Sequence, residues 1–228
     1  MPGSKYRLIL FDLDNTLFDF DAAEELALEQ SLRVNGLADL KVPGGLGRYR
    51  EVNQRLWAAL ERGELTQEQV LLGRWEQYLE QEGLDYAAID RAYLRGLAEH
   101  KQLLEGAEAV LRELARRGYI LSIVTNGVGW IQRENMARSG IADLIAALVI
   151  SDEVGAAKPD ARIFEAAMAQ SGWQEKASTL MVGDSLSSDI AGGKAFGLDT
   201  CYFNPKGKAH HAAPNFEIRA LEELLDLL

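Results

Sequence analysis

The chain has 228 residues, 47% hydrophobic and 26% charged, enough to bury one full core or a core with a sizeable insertion. A formal charge of −11 argues against a nucleic-acid backbone or an anionic membrane surface as partner, and a single cysteine, Cys201, rules out an internal disulfide. The first apolar run stops at Asp12, too early for a signal-peptide core, and no stretch approaches a membrane span, so a cytoplasmic protein is expected.

The first element is the run Leu8 to Phe11, which leads straight into Asp12, Asp14 and Thr16. Four apolar residues without polar alternation are the pattern of a strand buried on both faces, as in a parallel sheet. Ligands of open α/β sheets bind beyond the carboxyl ends of strands, so the two aspartates fall where chemistry is expected. Two unit charges about 4 Å apart repel by roughly 4 kcal/mol at an effective dielectric near 20. A hard cation removes that cost, and Mg²⁺, which keeps several waters and binds through one or two carboxylates plus phosphate, suits so sparse an oxygen set. A calcium loop fails on spacing, because Leu17 stands at the tight-turn glycine and Ala23 at the bidentate glutamate. Taken singly, Asp12 or Asn15 reads equally well as a turn cap.

From Asp21 to about Lys101 strand-like runs disappear and helical periodicity takes over. Ala22, Leu26, Leu28 and Leu32 are expected to share one face, Tyr49, Val52, Leu56, Trp57 and Leu60 a second, and Val70, Leu71, Trp75, Tyr78 and Leu79 a third. Gly36, Gly63 and Gly83 punctuate these runs as helix ends. The stretch is a unit of about four helices, predicted over residues 18–103.

After Leu104 helices and strands alternate. Helices are expected at Ala107 to Arg117, Trp130 to Ser139, Ala161 to Gln170 and Leu186 to Phe196, and strands at Tyr119 to Thr125, Leu144 to Ile150, Thr179 to Val182 and Thr200 to Phe203. This order predicts an α/β fold with a doubly wound, Rossmann-like parallel sheet. The first strand must join that sheet, so residues 1–17 and 104–228 form the core and the helices are an insertion, read as a cap domain with hinges near Leu17 and Leu104. Leu221 to Leu228 is expected to be a closing amphipathic helix.

Three later segments echo the first. Thr125 ends a strand before Asn126-Gly127 and can offer a hydroxyl and several N–H donors to a phosphoryl oxygen, although Thr-Asn-Gly alone reads as a turn. Lys158-Pro159 precedes a helix, an unfavourable place for a structural cation unless an anion lies beside it. In Gly183-Asp184-Ser185 a strand again ends in a carboxylate, and Asp189 follows after the turn into the next helix, so both can approach one cation. Asp189 could equally serve the helix dipole.

Taken together, Asp12-x-Asp14-x-Thr16, Thr125, Lys158 and Gly183-Asp184 followed by Asp189 resemble the four motifs of the haloacid-dehalogenase-like hydrolase superfamily, in order, with the insertion where that family carries its type-1 cap. The resemblance implies that Asp12 is a nucleophile forming an aspartyl-phosphate, and that Asp14 protonates the leaving alkoxide and then activates water. It implies Mg²⁺ held by Asp12, Asp184, the Asp14 backbone carbonyl and, directly or through water, Asp189. Thr125, the amides of Asn126 and Gly127, and Lys158 would stabilise the transferring group. An aspartate at position 14 favours phosphate monoesters over halides, and a phosphosugar mutase, which keeps both aspartates, stays open.

The cap text Tyr49-x-x-Val52-Asn53-x-x-Leu56-Trp57, with Gly63, Thr66 and Gly73-Arg74, and the later Ser151-Asp-Glu-Val-Gly155-Ala-Ala-Lys158-Pro are similar to the noncanonical pyrimidine nucleotidase branch, with Asp152 and Ala156 as departures. That branch implies a pyrimidine nucleoside 5′-monophosphate as substrate. A sugar-phosphate phosphatase or a non-catalytic phospho-ligand-binding protein are the alternatives. Phe18, Phe20, Trp57, Trp75 and Arg74 are candidates for contacting the leaving group, although aromatics at this spacing are commonly core. His210-His211 reads as a solvated loop and Cys201 as a small core residue. The expected partner is a small phosphorylated substrate, with the chain a monomer or a homodimer.

Overall fold

The computed structural model describes residues 5–228, so the first four residues of the expected core segment lie outside the described residues. The chain divides into two compact units, one formed by residues up to Asp19 together with Gln102–Leu228, the other by Phe20–Lys101.

The first unit holds a six-stranded, all-parallel sheet of β1 (Leu8–Phe11), β2 (Ile120–Thr125), β3 (Ile145–Ile150), β4 (Thr179–Gly183), β5 (Asp199–Phe203) and β6 (Phe216–Ile218), in the order β3-β2-β1-β4-β5-β6. The order turns at β1, whose Phe11 pairs with Ile123 on one side and Val182 on the other, and this reversal opens a crevice at the carboxyl ends of the central strands. Alternate residues of the unbroken apolar runs feed two cores. Ile9, Phe11, Leu121, Ile123, Leu180 and Val182 pack with α5 (Ala107–Arg116), while Leu8, Leu10, Val124, Val149 and Met181 pack with α8 (Ala161–Gln170). Cys201 is fully buried in the first of these, and burial pushes its thiol up to about 12.

One connection departs from expectation. The stretch Leu186 to Phe196 is not one α-helix: Leu186–Ala191 is a π-helical turn, followed by the short α9 (Gly192–Phe196). The wider turn lies between a strand end and a glycine pair that sits tight on its neighbours, since a Cβ on Gly192 would stand 2.9 Å from Pro159 and one on Gly193 2.9 Å from Thr200. The closing stretch Leu221 to Leu228 is helical as expected but begins as a 3₁₀ turn, Leu221–Glu223, before one α-helical turn, α10 (Leu224–Leu227). His210 is not simply solvated; its ring meets Tyr202 edge-on at 5.0 Å between centroids and its Nδ1 lies 3.1 Å from the Ala212 carbonyl.

Where the chain leaves and re-enters this unit, its two connectors are paired. Asp19 N donates to Gln102 O at 2.9 Å, Leu104 N donates to Leu17 O at 2.8 Å, and Phe18 and Leu103 form an antiparallel bridge.

The second unit holds α1 (Phe20–Val34), α2 (Gly45–Glu61), α3 (Gln67–Leu79) and α4 (Tyr86–His100). Thr66 and Gln69 form a reciprocal capping box at the start of α3, and Asp85 caps α4 through the Ala88 amide. The predicted face of α1 is displaced: Ala22 and Leu26 are exposed, while Ala23, Glu24, Ala27, Leu28 and Ser31 are buried. Small residues win because α4 passes very close, so that a Cβ on Gly96 would stand 2.8 Å from Ala27 Cα, and Ser31 Oγ donates to Ile89 O at 2.6 Å. On α3 the end falls at Glu80, in the left-handed region, rather than at Gly83.

Candidate active site

The tight turn after β1 sets the first two carboxylates. Asn15 sits at φ 61°, a conformation that asparagine tolerates better than most side chains, and its N–H donates to Phe18 O at 2.8 Å. Asp12 is anchored by its own N–H to Val182 O at 2.9 Å, so β1 and β4 deliver Asp12 and Asp184 from adjacent strands. Carboxylate oxygens of Asp12, Asp184 and Asp189 all lie within 4.8 Å of one another.

Lys158 is the counterweight. Its ammonium, 1% exposed, donates to Asp12 Oδ1 at 2.6 Å and to Asp189 Oδ1 at 2.7 Å. Burial alone would lower its pKa, but those two carboxylates outweigh burial and hold it well above the ordinary lysine value. The loop that carries it is fixed by Asn126, whose side chain donates to Lys158 O at 2.9 Å and accepts from Lys158 N at 2.7 Å. Sequence pattern points only to the backbone amide of Asn126, not to this side-chain role, which depends on a partner 32 residues away.

The three acids are not equivalent. Asp189 is fully buried with both oxygens engaged, one by Lys158 and the other by Ser185 N at 3.0 Å. Gly183 makes room for it, because a Cβ there would lie 2.2 Å from Asp189 Oδ2. Asp184 takes no side-chain hydrogen bond among the described residues. Burial pushes Asp12 up to about 7 against the pull of Lys158, with Asp189 raising it further, and pushes Asp184 up to about 8, with the charges of Asp12 and Asp189 adding to the rise. Three carboxylates against one ammonium leave the cluster with excess negative charge and only hard oxygen donors facing it, a donor set that fits a divalent cation.

Thr125 ends β2 and is buried, with its hydroxyl 3.4 Å from Gln132 Nε2. Asp14 is half-buried and is not one of the three converging acids; its Oδ2 accepts from Gln132 Nε2 at 2.7 Å. Of the leaving-group candidates, Phe18, Trp75 and Arg74 are enclosed in packed cores. Phe18 is 1% exposed in the core of the first unit. In the helical unit Trp75 is fully buried and donates to Asp90 Oδ1 at 2.8 Å, and Arg74 pairs with the same Asp90 while stacking 4.5 Å from the Tyr93 ring centroid. A residue so enclosed serves packing and charge pairing. Trp57 packs at the edge of a cluster of Val52, Leu56 and Val70, and Phe20 is half-buried with the Lys101 ammonium 5.4 Å from its ring.

An acid–lysine cluster at the reversal point of a Rossmann-like parallel sheet places the chain among α/β proteins that bind anionic ligands at the carboxyl ends of their strands. Comparison with known proteins narrows the class. A sequence model of the haloacid dehalogenase-like hydrolases matches residues 6–197, and the chain belongs to that family. It is 37% identical over 227 residues to pyrimidine 5′-nucleotidase PynA of Streptococcus pneumoniae, covering 98% of this chain and 95% of the relative. To pyrimidine 5′-nucleotidase YjjG of Escherichia coli it is 35% identical over 233 residues, 98% of each chain. The structure superposes with TM-score 0.89 on HAD-hydrolase YfnB of Bacillus subtilis, crystallised with magnesium bound, at 35% identity over 98% of this chain and 99% of that one.

Proposed function

We propose that this chain is a Mg²⁺-dependent phosphatase that hydrolyses pyrimidine nucleoside 5′-monophosphates through an aspartyl-phosphate. The observation that carries the reading is Asp12, held by the Lys158 ammonium within a three-carboxylate cluster. Near-full-length similarity to two pyrimidine 5′-nucleotidases supports the choice of ester.

Asp12 and Asp184 would hold the ion, with Asp189 behind them and the Asp14 backbone carbonyl as a further oxygen. When bound, the cation neutralises charge on the phosphoryl oxygens and on the paired acids. The free oxygen of Asp12 attacks phosphorus as the ester P–O bond breaks, and the leaving oxygen takes the proton of Asp14. Asp14, now a carboxylate, accepts a proton from water; that water attacks the phosphorus of the aspartyl-phosphate, and the bond to Asp12 breaks. Alcohol and inorganic phosphate leave, with Asp12 ionised and Asp14 protonated as at the start. Lys158 opposes the protonation that burial favours at Asp12, orients it and, with Thr125 and the amides of Asn126 and Gly127, steadies the phosphoryl oxygens. The helical unit, Phe20–Lys101, is assigned to selecting the leaving group. No helix among the described residues is long and apolar enough to cross a membrane.

The test is a panel of esters with and without Mg²⁺. UMP and dTMP should exceed hexose phosphates in kcat/KM by roughly tenfold or more, the scale on which a shaped pocket discriminates. Equal or better turnover of sugar phosphates would refute the nucleotidase assignment, and no hydrolysis of any ester with Mg²⁺ present would remove the phosphatase as well.

The cation also gives a pH signature. Raised values for Asp12 and Asp184 mean that their contribution to the metal-free fold is fully present below the ordinary carboxylate range and is lost as pH rises through about 7 and 8. A divalent ion reverses this by binding the ionised pair. The increase in Tm on adding Mg²⁺ should therefore be larger at pH 8.5 than at pH 6, and Asp184→Asn should remove it. A Tm shift independent of pH would contradict the assigned ligands.

A further inference from the structure

Gln132 was not among the expected site residues, yet its amide reaches two of them. It lies on α6 (Gly129–Arg138), 2% exposed, and its Nε2 donates to Asp14 Oδ2 at 2.7 Å and stands 3.4 Å from Thr125 Oγ1. A second observation concerns Gly127. Its backbone is outside the left-handed region, so its conformation does not demand glycine. What demands it is space: a Cβ at position 127 would stand 2.1 Å from Gln132 Nε2 and 2.7 Å from Cδ and Cγ. The turn after β2 is thus cut away where the Gln132 side chain crosses toward Asp14.

We propose that Gln132 is a positioning residue for proton transfer, holding the Asp14 carboxyl in place through a slot that Gly127 keeps open. The inference rests on Asp14 being the group that protonates the leaving oxygen. In that step the Asp14 proton moves to the ester oxygen while the P–O bond breaks and the Asp12–phosphorus bond forms, after which Asp14 is ionised. A residue that steadies Asp14 must serve both forms. A neutral amide N–H does, because it donates to a carboxyl oxygen whether or not the group carries its proton. Lysine or arginine in its place would bind the ionised form far more strongly and oppose the return of the proton. Asp14 is half-buried, and proton transfer in a near-attack geometry is sensitive to displacements of an ångström.

The experiment measures kcat/KM, which reports phosphoryl transfer to Asp12, for aryl phosphates of graded leaving-group basicity and one alkyl phosphate, all with Mg²⁺. Gln132→Met keeps the length of the side chain and removes the donor. Loss should be less than about threefold for p-nitrophenyl phosphate, whose leaving group needs little protonation, and on the order of 10²-fold for the alkyl ester, so the plot against leaving-group pKa steepens. Gly127→Ala retains Gln132 and the amide at 127 but fills the slot, and should steepen the same plot. It also carries the test if Gln132→Met fails to fold by circular dichroism. A purely structural role would lower every ester by one factor; parallel lines, or no change, overturn the inference. If the parent protein hydrolyses the series and Asp12→Asn does not, such a result counts against Gln132 alone. If the parent hydrolyses nothing, the assigned function fails and this inference with it.

Discussion

Asp12→Asn is expected to lower hydrolysis of p-nitrophenyl phosphate by on the order of 10⁴-fold or more while leaving the fold intact. The asparagine amide matches the carboxylate in shape but has no nucleophilic oxygen, so no covalent intermediate forms. Stability should move the other way or not at all. Burial penalises ionised Asp12, and the charges of Asp184 and Asp189 lie close to it, so a neutral group relieves repulsion. Lys158 keeps a partner, because Asp189 remains at 2.7 Å. A variant that is catalytically dead, with a metal-free Tm equal to or above that of the parent, is the signature of an acid kept for chemistry at the expense of the fold. Retained activity would eliminate Asp12 as nucleophile, and a collapsed Tm would assign it to structure.

Lys158→Met should have the largest effect on stability. It strips the cation from between two buried carboxylates, and breaking a buried pair from one side costs about 3–5 kcal/mol. In a unit of this size that corresponds to a fall in Tm on the order of 10 °C. The direction with pH follows from Asp12. Burial already holds its pKa up, near 7, against the pull of Lys158, and without the ammonium it rises further. A raised value favours the protonated fold, so the deficit is fully expressed at neutral and alkaline pH and shrinks as acid returns the proton. Adding Asp189→Asn should restore part of the loss at pH 8. A variant equally destabilised from pH 5 to pH 9 would mean that the lysine acts through packing rather than charge.

The parts of this architecture that were legible in the sequence are those where one physical demand dominates. Leu8 to Phe11 carry the pattern of a strand covered on both faces, and Asp12, Lys158 and Asp184, each open to a plain structural reading alone, gain a shared reason when taken together. What stayed hidden depends on partners distant in the chain. Gln132 looks like any polar residue near the start of a helix; its only trace is a position seven residues beyond Thr125 on a face that also buries Ile131, Asn135 and Met136. The Asn126 side chain pairs with a backbone segment across 32 positions, which no local pattern reports. On α1 Leu28 marked the buried face but Leu26 and Ala22 did not, because close passage of α4 selects alanine, serine and glycine over bulk. Arg74 and Trp75 invited a binding role, and only the position of Asp90, sixteen and fifteen residues on, assigns them to the helical core.

The paired connectors at Asp19 and Gln102, and at Leu17 and Leu104, carry a consequence for how this chain is built. With its entry and exit already zipped together, the helical excursion behaves toward the sheet as the tip of a hairpin. Loop-closure entropy grows only with the logarithm of length, so the sheet is nearly indifferent to how many residues are threaded through that neck. The excursion can therefore be lengthened, shortened or exchanged at little cost to the strands β1 and β4 that carry Asp12 and Asp184.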